Sequence, residues 1–178
     1  GRGWGQGPQH AKTLHTMFSY LPGLKVVMPS SASEAKGMLL SSIMSNDPVI
    51  FIEYRSLYNT KELVPTNRYY LDLEKPRLRL KGNALTIVAA GASVLTSLKA
   101  AEILYKKNGI KCDLFDLRSI SNMKLESVLS SIKKTKKLVL VEDGWKNFGY
   151  SAEIMATVSE LNIKLDEAPQ RICWPNSH

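Results

Sequence analysis

Three histidines, His10, His15 and His178, are the only imidazoles in this chain of 178 residues, and Cys112 and Cys173 are its only thiols. That small stock bounds the chemistry. No GxSxG elbow presents a serine nucleophile, and three histidines leave few bases to activate one. His10 and His15 stand five apart, whereas two ligands on one helical face stand four apart, so they do not read as a metal pair. There is no GxxxxGK[ST] loop to cradle a phosphate. The glycines of GRGWGQG follow no strand, which a dinucleotide fingerprint requires. His10 is the residue worth weighing. It follows the turn GWGQGPQ, where glycines let backbone approach a ligand closely. An imidazole titrates near pH ~6.5 and so moves protons at neutral pH. On chemistry alone the plainer reading of His10 is an exposed loop histidine.

The elements that must position it are read from periodicity and punctuation. Residues 9–18 predict a short helix, broken by Leu21-Pro22-Gly23. Residues 25–28 read as a strand stopped by Pro29. Ser31 followed by Glu34 has the spacing of a capping box, in which hydroxyl and carboxylate each satisfy a backbone N–H. Ala35, Met38, Leu39 and Ile43 then recur at helical spacing, Asn46-Asp47-Pro48 closes the helix, and residues 49–52 form an apolar strand. A strand–helix–strand unit of this kind favours a parallel pair with a right-handed crossover. Residues 55–80 hold no sustained period and read as a linker packed along a surface. From residue 81 strands are expected at 85–90, 111–117, 138–141 and 171–174. Helices are expected between Val94 and Leu104, ending at Gly109, then at 125–132 and 148–161. Alternation at this spacing predicts a three-layer α/β domain with a mainly parallel sheet.

Bulk properties exclude several classes. With 44% hydrophobic and 22% charged residues the chain is ordinary globular material. Its longest apolar runs, such as 84–92, fall far short of the ~20 residues that span a bilayer, and its first residues lack the hydrophobic core of a signal peptide. The two cysteines, without metal-ligand spacing, predict buried free thiols in a reducing compartment. A net charge of +8 invites a nucleic-acid reading. Yet the densest cluster, Lys133, Lys134, Lys136 and Lys137, lies where a helix ends, and cations suit the negative end of its dipole. No aromatic residues interleave with it to stack bases, so neither a nucleic acid nor a membrane is expected as partner.

The order GxGxxHxx…PGLKVVxPxxxxEAKGxLxxxI…NDPVIFxE, running from Gly5 to Glu53, resembles the pyrimidine-binding domain of the beta subunit of thiamine-diphosphate-dependent 2-oxo acid dehydrogenases. The resemblance continues through DLRSI at 116–120, the SxxKTxKLVLVEDGW stretch at 131–145, and FGYSAEI at 148–154. PGLKVVxP alone is shared with transketolases; its combination with GPQH and EDGWxxFG is far more specific. The resemblance implies the C-terminal part of a pyrimidine-binding domain at 1–54, a linker at 55–80 and a transketolase C-terminal-type domain at 81–178. It implies oxidative decarboxylation of a 2-oxo acid, with pyruvate, branched-chain oxo acids and acetoin left open as substrates, and acyl transfer to lipoamide.

Carried over residue by residue, the resemblance places His10 in the active-site channel near the thiazolium of thiamine diphosphate, handling protons. It implies magnesium on the complete enzyme, with the glutamate that bonds the aminopyrimidine upstream of residue 1 and the diphosphate motif on an alpha subunit. The chain alone is therefore expected neither to bind the cofactor well nor to turn over. A structural potassium ion held by family members maps onto Ser42, Ile43, Ser45 and Asp47; here the usual acidic residue is Ser45 and the usual asparagine is Asp47. Arg118, Trp145 and Phe148 are expected to be structural or interfacial. Partners implied are an alpha subunit, a second beta subunit and a lipoyl acyltransferase core, in cytoplasm or a mitochondrial matrix. Two alternatives stay open: a transketolase-like sugar-phosphate enzyme, and a noncatalytic module that supports subunit assembly.

Overall fold

The computed structural model describes residues 7–175, so the first glycines of GRGWGQG and His178 lie outside the described residues. Within that span the expected helix over 9–18 divides in two: α1, Gly7–His10, and α2, His15–Ser19. Thr13 and His15 both turn inward. Residues two apart share a side in extended backbone, not in a helix, so burying both breaks the helix between them.

Strands β1, Lys25–Val27, and β2, Val49–Phe51, pair in parallel with Val26 opposite Ile50. Helix α3, Ala32–Ile43, makes the crossover. Ser31 caps it as expected, its Oγ accepting the Glu34 N–H at 3.5 Å. The reciprocal half of the capping box does not form. Glu34 is 1% exposed, and its carboxylate turns away from the helix start to meet two arginines. Charged donors in a buried place outcompete a single backbone N–H.

Residues 55–80 are less featureless than their sequence. A 3₁₀ turn occupies Arg55–Leu57, and β3, Arg77–Leu80, joins the main sheet antiparallel to β5, Asp113–Asp116. The RLRL alternation is short and sits at an edge, where arginine protects an open ladder and masks the strand's hydrophobic signal.

The remaining elements alternate as predicted: β4, Thr86–Ala89; α4, Ala92–Asn108; α5, Glu126–Thr135; β6, Leu138–Trp145; α6, Tyr150–Glu160; β7, Gln170–Trp174. The sheet order is β3-β5-β4-β6-β7, parallel except for β3. Side chains of successive strand residues point to opposite faces. Ile87, Ala89 and Leu114 therefore pack with Val94 and Ala101 of α4. Val88, Phe115 and Leu140 pack on the other face, with Ile132 of α5 and Ile154 of α6. That second layer continues without a break into Val26, Met28 and Tyr54 of the first unit. Backbone stitches the same seam: Met28 N–H donates to Arg118 O at 2.7 Å and Ile120 N–H to Val26 O at 3.0 Å.

Both cysteines are free thiols, Cys112 buried and Cys173 half-buried. Burial, with Asp113 beside it, pushes the Cys112 thiol up. The lysine cluster closes α5 in part as predicted, but Lys134 reaches back to Asp113 at 2.5 Å and Gly82 O at 2.8 Å. No helix among the described residues is long and apolar enough to cross a membrane.

Candidate functional site

His10 closes α1 and is exposed. Its neighbour in sequence, His15, is 2% exposed and places Nε2 3.1 Å from Oε1 of Glu142. Glu142 lies within β6, which continues beyond the strand expected at 138–141. The strand runs past Val141 because residues 138, 140, 142 and 144 all face inward in strict alternation. The run LVLVEDGW does not alternate in hydrophobicity, so this burial of Glu142 shows only in the folded strand.

A buried carboxylate needs donors, and α6 supplies them. Oε1 accepts the Tyr150 N–H at 3.2 Å; Oε2 accepts the Ser151 N–H at 3.1 Å and the Ser151 hydroxyl at 2.6 Å. The positive end of the α6 dipole adds to this. Glycine at 149 makes the approach possible, since a Cβ there would stand 2.5 Å from Oε1. Gly149→Ala is therefore expected to cost about 1–3 kcal/mol by overpacking, read as a lower urea midpoint. An unchanged midpoint would mean that Glu142 can step aside.

A second charged cluster joins α3 to the end of β5. Arg118, in left-handed backbone at φ +61°, gives Nε to Glu34 Oε2 at 2.6 Å and Nη2 to Oε1 at 3.0 Å. Arg77 Nη1 meets the same Oε1 at 2.5 Å. Asp116 accepts the Ser30 hydroxyl and, at 3.1 Å, the Arg118 N–H. Arg118 thus has a structural task inside the chain. Phe148 is 91% exposed at φ +59°, and Trp145 ends β6 opposite Trp174 of β7.

The proposed potassium residues are drawn into other bonds. The Ser42 hydroxyl donates to Met38 O at 2.7 Å, Ser45 Oγ accepts the Asp47 N–H at 3.2 Å, and Asp47 pairs with Lys25 Nζ at 3.0 Å. Ile43 is the last residue of α3, 69% exposed. The Lys25 ammonium already sits on Oδ2 of the Asp47 carboxylate, where a cation at that oxygen would compete with it. Among the described residues no group of three or more His, Cys, Asp or Glu side chains gathers as a metal site.

Comparison with known proteins agrees with this architecture. Residues 74–177 match the transketolase C-terminal domain, and residues 3–61 match the transketolase pyrimidine binding domain. The mitochondrial 2-oxoisovalerate dehydrogenase subunit beta of Dictyostelium discoideum is 41% identical over 169 residues, 94% of this chain and 46% of the relative. The pyruvate dehydrogenase E1 component subunit beta of Staphylococcus epidermidis is 39% identical over 161 residues, 90% of this chain and 49% of the relative. The chain spans about half the length of the curated relatives it matches. A solved split-gene transketolase, described as an inactive beta4 tetramer, shares the fold with a TM-score of 0.77. That likeness covers 95% of this chain and 54% of the other at 19% identity. With a transketolase C-terminal domain over more than half its length and a pyrimidine-binding match before it, the chain belongs to the transketolase family.

Proposed function

We propose that the chain is part of the beta subunit of a thiamine-diphosphate-dependent 2-oxo acid dehydrogenase, which decarboxylates a 2-oxo acid and passes the acyl group to lipoamide. The observation that carries this reading is the similarity to beta subunits of two such enzymes over at least 90% of the chain, at 39% and 41% identity. The cofactor, when bound, supplies the electron sink for decarboxylation. From this chain, His10 contributes an exposed imidazole that gives or takes a proton as charge moves on the substrate. An alpha subunit supplies the diphosphate and magnesium site, and a second beta subunit and a lipoyl acyltransferase core complete the assembly, in cytoplasm or mitochondrial matrix.

The test is the full-length subunit co-expressed with its alpha partner and assayed against pyruvate, branched-chain oxo acids and acetoin. Lipoamide acylation is expected, with carbon dioxide released from an oxo acid or acetaldehyde from acetoin, and His10→Ala should lower the rate by about 10²-fold or more. Ketol transfer between sugar phosphates, with no oxo acid turnover, would replace this reading with a transketolase activity.

A further inference from the structure

The segment that carries His10 has little structure of its own. α1 has four residues and α2 five, lengths at which an isolated helix is not stable in water. Its large side chains Leu14, Met17 and Tyr20 are exposed, while Phe18 packs partly on the core. One polar contact that crosses to the second unit is His15 with Glu142, 127 positions apart in sequence.

Glu142 is a fixed anchor. The Tyr150 and Ser151 N–H groups and the Ser151 hydroxyl already donate to it. A carboxylate among donors only accepts, so His15 Nε2 carries the hydrogen of their bond. The fit around the pair is close. A Cβ at Gly144 would stand 3.1 Å from His15 Cε1 and 3.2 Å from Glu142 Oε1. Nothing in a merely space-filling role requires an imidazole here; an apolar side chain would fill the same volume without a buried polar atom. Yet His15 is kept with Nδ1 buried and unpartnered, a cost met only if the Nε2 bond is of use.

We propose that His15 is a positioning residue: through Glu142 it fastens the His10 segment to the second α/β unit and so fixes where His10 stands for the reaction. The proposal rests on the reading of His10 given above. Small displacements of a reacting group are expensive, about 10²-fold in rate for 1 Å, and two short helices cannot hold a position to that tolerance unaided.

Two measurements test it. In hydrogen exchange on the full chain, His15→Ala should speed exchange of amides 7–20 by about tenfold or more while β4 and β6 stay protected. In the assembled enzyme the same variant should lower kcat on the order of 10²-fold with KM for the oxo acid little changed. His15→Gln, whose amide can donate to Glu142, should recover most of both. Protection of 7–20 equal to that of the parent overturns the tether. Equal loss of protection in β4 and β6 makes His15 a general stabilising residue and overturns it too. A loosened segment with unchanged kcat overturns the positioning role. If the assembled parent turns over no oxo acid, the reading of His10 fails and the positioning role with it; the exchange result still decides the tether.

Discussion

Glu34→Ala is expected to cost about 3–5 kcal/mol of stability, the usual consequence of removing one partner of a buried ion pair. The magnitude follows from what is left behind. Arg118 is 9% exposed and gives three of its nitrogens to acceptors on other elements. With Glu34 gone, its remaining acceptors are the carbonyls of Lys75 at 3.3 Å and Asp72 at 3.5 Å, which cannot neutralise a guanidinium. Arg77 loses the same partner but sits 42% exposed, where water compensates, so it adds little. Burial alone would raise the Glu34 carboxyl, yet hydrogen bonds and charge from Arg118 and Arg77 hold it below the ordinary value. Net, the ionised pair is favoured where it stands. The double variant Glu34→Met with Arg118→Leu should recover most of the loss, because it leaves no orphaned charge. Urea unfolding of the three proteins checks both statements. A single variant losing under about 1 kcal/mol would mean that water reaches Arg118.

The same pair explains which parts of the molecule could be read from sequence. The order of strands and helices after residue 81 was legible because each carries its own periodicity and its own stop, such as Gly109 after α4. Local signals of this kind need no knowledge of the partner. Ser31 and Glu34 also had a local signal, and half of it misled: Glu34 obeys an arginine 84 positions away. Tertiary charge pairing overrode a capping propensity worth only ~1 kcal/mol. β3 was missed for a related reason. Its two leucines alternate with arginines, one of which pairs with Glu34, so the strand reads as polar linker until that partner is known. Of the candidate site, His10 came from resemblance, whereas His15 and Glu142 needed the fold. Neither the alternation of β6 nor the spacing of the histidines names the other residue, and their meeting is set by how α2 lies against β6.

Asp116 is expected to make the protein less stable as pH rises from about 4 to about 7, against the common behaviour of carboxylates. It is 1% exposed, and burial, with the negative charge of Glu34 nearby, pushes its carboxyl up to about 6; the Ser30 hydroxyl, the Arg118 N–H and Arg79 only partly offset this. The folded state therefore binds a proton more tightly than the unfolded chain, whose aspartate titrates near 3.8. A raised carboxylate contributes its stability in full below the unfolded value and loses it as pH climbs through the folded one. Two units correspond to about 3 kcal/mol. Glu34 has the opposite sign: its lowered value adds stability above its ordinary 4.5, lost as pH falls through the folded value. The two overlap in the parent protein, so the difference between parent and Asp116→Asn isolates one of them. Asparagine can still accept the Arg118 N–H and can donate to Ser30 Oγ, keeping the local bonds without the charge. The stability of the parent minus that of Asp116→Asn should fall by about 2 kcal/mol between pH 4 and pH 7 and stay flat above. A difference that does not change across that range would mean that Arg79, 3.8 Å from Asp116 Oδ2, holds the carboxylate ionised despite its burial.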